Sequence, residues 1–141
     1  MAIEASRVLL ASREDVWALI REPYNLPDWW PAYTGVQPDR RGLVEGARWT
    51  VVRSRTPGFL RRPRGEGVIL IRRVRMGTEL AWQDVRQNLE AGVRLDDQGR
   101  NTIATAFVDG SFWRLLAEGA HGLPRLAVAR LHALCQTAAS L

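Results

Sequence analysis

The residues of this chain that could do chemistry are few, and their types exclude more than they allow. His121 and His132 are the two histidines and Cys135 is the single cysteine. His132 and Cys135 stand three apart, so a helix would turn them the same way. Two ligands with no carboxylate at helical spacing do not make a metal site, and neither a metal nor a cofactor is expected. His132 also lies off the apolar stripe set by Ala127 and Leu131, which points it toward solvent or a half-buried setting. All 20 basic side chains are arginine. With no lysine, Schiff-base catalysis, a phosphate-loop lysine and a lysine general base are ruled out. Gly65-Glu66-Gly67 precedes a strand and lacks a third glycine and a following helix, so it is no dinucleotide loop. No glycine-flanked serine forms a nucleophile elbow.

What remains is charge inside strand patterns. If Leu80 and Trp82 face inward, the two-residue period carries Asp84 to the same wall. The same rule groups Glu66 with Val68 and Leu70 on the strand before. A buried carboxylate needs a cation, and Arg53 or Arg72 is placed to supply it. Such a pair would orient a ligand hydroxyl or carbonyl, or move protons in an aldol-type cyclisation with Asp84 as the candidate catalytic group. The plainer reading is a solvated strand end. The other cluster runs from Arg53 to Arg64, where five arginines bracket Phe59-Leu60. Arg55, Arg61, Arg62 and Arg64 suit an anionic headgroup or membrane surface, with the apolar tip as a shallow anchor; a solvated hairpin is the alternative. No recognised DNA- or RNA-binding module accompanies them, so nucleic acid is not the expected partner.

These side chains must be held by a recognisable order of elements. Ile3 to Ala11 reads as a strand, ended by Ser12, a helix cap with Asp15 three residues on. A helix follows over Arg13 to Arg21 and Pro23 stops it. Pro23 to Pro31 forms a compact aromatic bend with a second short helical turn. The pattern then becomes strand-like, over Thr34–Pro38, Ala47–Arg55, Glu66–Arg75, Glu79–Gln87, Leu89–Leu95 and Thr102–Val108. Met76-Gly77-Thr78 and Asp96 to Gly99 are hairpin loops. After Asp109-Gly110 the helical period returns with Phe112, Leu115 and Leu116. Gly119, Gly122 and Pro124 interrupt it before a last helix whose stripe is Leu123, Ala127, Leu131, Leu134 and Ala138.

This order, with Ser12 to Ile20, Leu26-Pro27-Asp28-Trp29-Trp30-Pro31, Gly46-Ala47-Arg48-Trp49 and Leu80-Ala81-Trp82, resembles the START-like, Bet v1-like (SRPBCC) superfamily. Its polyketide cyclase/dehydrase and lipid-transport branch is the most similar. The resemblance spans nearly the whole chain and implies an α+β helix-grip fold. In that fold a curved antiparallel sheet carries two short helices after its first strand and a C-terminal helix across it. It further implies an apolar cavity for a lipid, polyketide or other hydrophobic small molecule. Of the six tryptophans, Trp30, Trp49, Trp82 and Trp113 are candidates for the wall of that cavity, with Val51, Leu70 and Leu131; ordinary core is the competing role. Binding, for transport or sensing, is the expected function. A cofactor-independent aromatase/cyclase and a surface interaction module built on the arginine loop are the alternatives. A sequence of 141 residues, 46% hydrophobic and 25% charged, fits one domain over 1–141. The net charge of +5 reflects arginine usage more than a polyanionic partner. A lone cysteine agrees with a reducing cytoplasm, and Met1 to Leu10, with Glu4 and Arg7, reads as neither a signal peptide nor a span.

Overall fold

The computed structural model describes residues 1–53, 66–117 and 119–139. Strand β1 (Ala2–Leu9) leads into helix α1 (Arg13–Ile20), then a 3-10 turn (Pro23–Asn25) and the single-turn α2 (Leu26–Trp29). Six strands follow: β2 (Tyr33–Gln37), β3 (Arg48–Arg53), β4 (Glu66–Arg75), β5 (Glu79–Asp84), β6 (Leu89–Gln98) and β7 (Asn101–Asp109). Helix α3 (Phe112–Ala117), a second 3-10 turn (Ala120–Gly122) and α4 (Leu123–Ala139) close the chain. The cap works as its residue types require: Ser12 is extended and its Oγ accepts the Asp15 N–H at 3.2 Å.

The seven strands form one curved antiparallel sheet in the order β1-β7-β6-β5-β4-β3-β2. The first strand therefore pairs with the last, Ala2 opposite Asp109 and Leu9 opposite Thr102. That long-range closure sets β1 and β7 side by side, and α4 lies over both and against α2. Ala127, Leu131 and Cys135 of α4 are fully or almost fully buried, whereas Leu126 on its other side is exposed. This is the helix-grip architecture. The α3–α4 break that the glycines imply is present, and Gly119 takes the left-handed conformation there with φ 62°. The Asp96–Gly99 loop is tighter than its composition suggests. Strand β6 continues to Gln98, which pairs with Asn101, leaving Gly99 and Arg100 as a two-residue turn.

One expectation about the sheet is overturned. The two-residue period sets Leu70, with Val68, on the inner wall; in the structure Ile69 and Ile71 are the buried residues of β4, and Val68 is exposed. Leu70 lies on the outer face, in a groove of about 330 Å³ that Arg48 and Arg72 also line. The run Val68-Leu70 with Ile69-Ile71 is apolar in both phases, so the two-residue period has nothing to choose between. The pairing chooses instead, because Ile71 sits opposite Trp82 and Ile69 opposite Asp84.

Candidate functional site

By the register of the sheet, β2, β4, β6 and β1 start, and β3, β5 and β7 stop, at one end of the molecule. Tyr33 opens β2, Arg53 closes β3 and Asp84 closes β5 at that end. Asp84 is 2% exposed. Its Oδ2 accepts the Tyr33 hydroxyl at 2.9 Å, while Oδ1 takes the Arg53 guanidinium and the Gln87 backbone N–H. The Tyr33 oxygen in turn accepts the Trp82 indole N–H at 3.2 Å. Gly67 makes room for the cation, since a Cβ there would lie 2.9 Å from both terminal nitrogens of Arg53.

Around this polar knot the interior is aromatic. Trp82 meets Trp29 and Trp30 edge to face, with ring centroids 5.8 and 5.1 Å away, and Trp29 meets Trp30 at 6.1 Å. The short α2 and the residue that caps it position Trp29 and Trp30, because Pro27 and Pro31 confine the helix to one turn. Two buried donors of the cluster, Trp29 Nε1 and Arg53 Nε, have no hydrogen-bond partner. Burial first, and then the Asp84 carboxylate, push the Tyr33 phenol well above its ordinary range, against the smaller opposing pull of the Trp82 N–H and Arg53. At neutral pH Tyr33 is therefore a fixed O–H donor.

Of the expected wall residues, Trp30, Trp49, Val51, Trp82 and Leu131 are all buried in one core cluster. Trp49 is turned to a structural task, donating its indole N–H to the Gly42 carbonyl at 2.9 Å. Trp113 is the second correction: it is 74% exposed on α3 and walls nothing. Leu115 is the α3 residue that reaches the core, and it leaves Phe112, Trp113 and Leu116 outside. Arg53 is the partner of Asp84; Arg72 faces the outer groove. Arg55, Arg61, Arg62 and Arg64, with the Phe59-Leu60 tip, lie outside the described residues. Tyr33 and Trp29 were not foreseen as site residues. For Tyr33 the one signal is the requirement that a buried Asp84 be met by donors, which a tyrosine at a neighbouring strand end satisfies.

Among the described residues no group of three or more His, Cys, Asp or Glu side chains could hold a metal ion. Burial raises the Cys135 thiol, with Asp15 adding to the effect, so it is a core residue rather than a nucleophile. Two grooves lie away from the aromatic cluster: the outer-face groove, and one of about 400 Å³ beside Ser12, Trp17 and Gly99. No helix of the described residues is long and apolar enough to cross a membrane.

No family model matches the chain, and no curated protein matches it. Solved structures do. A crystal structure of a protein from Nitrosomonas europaea superposes with a TM-score of 0.76 at 18% identity, covering 100% of this chain and 97% of that one. A solution structure of a protein from Arthrobacter aurescens gives 0.74 at 15% identity, over 96% of this chain and 86% of that one. An AHSA1-like protein from Aeromonas hydrophila gives 0.65 at 18% identity, over 95% and 94%. Likeness at such identity carries the fold, and activity has to be argued from the site.

Proposed function

We propose that this chain, which has the helix-grip fold of START-like and Bet v1-like proteins, binds a hydrophobic small molecule between its sheet and α4. The ligand class that fits is flat and aromatic with one polar end. The observation that carries this reading is the pairing of a tryptophan-lined interior with buried donors that the protein itself leaves unmatched, Trp29 Nε1 and Arg53 Nε. An unpaired buried donor costs about 1–3 kcal/mol, and a ligand oxygen set against Trp29 or Arg53 would recover it. The tryptophans pack on one another where the ligand would lie. Opening one edge-to-face pair costs about 1 kcal/mol beyond the area it uncovers, and a two-ring ligand laid against the same indoles covers that area again at about 25 cal/mol per Å².

The site favours binding over catalysis. Both oxygens of Asp84 are already engaged, by Tyr33 on one side and by Arg53 and Gln87 on the other. A general base must reach the substrate's proton, and the lone-pair position left on Asp84, beside Tyr33 on Oδ2, belongs to a residue only 2% exposed. Asp84 acts here as the anchor that aims Tyr33 and Arg53, and a polyketide cyclase reading would require that anchor to be released.

The full chain is titrated with 2-naphthol and with N-phenyl-1-naphthylamine while tryptophan emission is followed. Both should bind with one-to-one stoichiometry. Trp29→Phe, which removes the indole N–H, should weaken 2-naphthol by up to about tenfold more than it weakens the other probe, the worth of one hydrogen bond. If neither probe binds the folded protein, the interior is a filled core and the proposal fails.

A further inference from the structure

Helix α3 carries the most conspicuous exposed apolar surface of the described residues. Trp113 is 74% exposed, Leu116 52% and Phe112 47%. Phe112 and Trp113 hold each other edge to face, with centroids 5.3 Å apart, so the pair stands out as a formed aromatic tip. The other five tryptophans are all buried. Buried Leu115 fixes the tip to the body of the protein, so its orientation is set.

Other exposed side chains lie at the same end of the molecule as the tip. Helix α3 leaves the sheet at the end where β5 stops and β6 begins, and a Cβ at Gly110 would fall 2.3 Å from Leu89 Cδ2. Exposed Val85 and Arg86 begin the four-residue turn between those two strands, and exposed Met1 sits at the same end. The one charge on α3 is Arg114, also exposed. Asp109, the carboxylate that precedes α3, is turned to the chain's own amino terminus at 3.5 Å, and Glu118, which follows α3 in sequence, lies outside the described residues. That end of the molecule thus exposes a tryptophan, a phenylalanine and aliphatic side chains together with Arg114 and Arg86.

We propose that this face docks on an anionic lipid surface, with Trp113 and Phe112 seated at the headgroup level and Arg114 and Arg86 meeting lipid phosphates. Two physical points favour lipid over a folded protein partner. A six-residue helix and a tight turn offer a few hundred Å², short of the roughly 1,000 Å² of a specific protein interface. An exposed indole with an apolar body and an N–H, flanked by arginine, is the chemistry of an interfacial anchor. The docking depends on the surface alone and stands whether or not the interior takes a ligand.

The experiment uses the one accessible tryptophan as its own probe. In buffer, iodide should quench a minor emission component that Trp113→Phe removes. Adding vesicles of phosphatidylcholine and phosphatidylglycerol at 7:3 should protect that component, and brominated acyl chains should quench it. Trp113→Ala should weaken vesicle binding at least tenfold and Arg114→Gln about fivefold, without lowering the melting temperature, because both side chains are exposed. Unchanged iodide access at millimolar lipid would overturn the proposal. So would protection that appears without lipid as protein concentration rises, which would make the face a contact between copies of this chain.

Discussion

Tyr33 is the residue on which the polar knot turns, because it both donates to Asp84 and accepts from Trp82. Its phenol is raised by burial and by the neighbouring carboxylate, and the sign of the consequence is fixed. In the unfolded chain tyrosine loses its proton near pH 10, whereas the folded site keeps it. The folded state then binds more protons, so its contribution is complete below about pH 10 and is lost as pH rises above that value toward the raised folded pKa. Urea unfolding from pH 8 to 11 should show stability falling above pH 10, and Tyr33→Phe should flatten that part of the curve. An equally steep fall in Tyr33→Phe would assign the effect to other groups. Asp84 was legible in the sequence because Leu80 and Trp82 set its phase. Tyr33 was not, since a tyrosine that begins a strand after a proline-rich bend gives no period to follow. Trp113 misled for a related reason: an aromatic count says how much apolar surface exists and not which helix face carries it.

At the scale of elements, backbone approach decides what periodicity leaves open. The hairpins, the capped α1 and the seven strands follow from turn residues and alternation, whereas the face shown by β4 required its partners, Trp82 on β5 above all. Two glycines make opposite predictions about this sheet. At Gly92 a Cβ would fall 2.3 Å from the Leu80 carbonyl oxygen and 2.8 Å from the Phe107 ring, in the middle of paired strands. Backbone cannot yield cheaply there, so Gly92→Ala should cost about 2–3 kcal/mol, read as a lower denaturation midpoint with an unchanged slope. At Gly67 the obstructed atoms belong to the far end of the long Arg53 side chain, which can shift without moving backbone. Gly67→Ala should cost less stability than Gly92→Ala, yet displace the guanidinium from Asp84 and weaken 2-naphthol binding several-fold. If Gly92→Ala proved as mild as Gly67→Ala, the close packing of β5, β6 and β7 would be wrong.

At the scale of the whole molecule, one long-range pairing and one helix make the container. Because β1 joins β7 rather than its sequence neighbour β2, the first and last strands lie side by side and α4 is seated across both. The stripe Ala127, Leu131 and Leu134 announced in the sequence that one side of α4 is covered, and the sheet was the only element large enough to cover it. Leu131 is at the centre of that contact and 0% exposed, while Leu126, on the same helix, is 46% exposed. An aspartate at 131 would bring a charge into the aromatic and aliphatic core without a cation in reach, whereas at 126 it would be hydrated. Leu131→Asp should therefore destabilise the fold by about 4 kcal/mol, lowering the melting temperature by more than about 10 °C, and Leu126→Asp should change it by no more than about 2 °C. The comparison also reports on the interior. If α4 is the lid of the aromatic cluster, Leu131→Asp should redden tryptophan emission at temperatures below its melting point, as water reaches Trp29 and Trp30, and it should abolish probe binding. Equal melting temperatures for the two variants would mean that α4 does not grip the sheet by this face, and the placement of the binding site beneath it would fall with that.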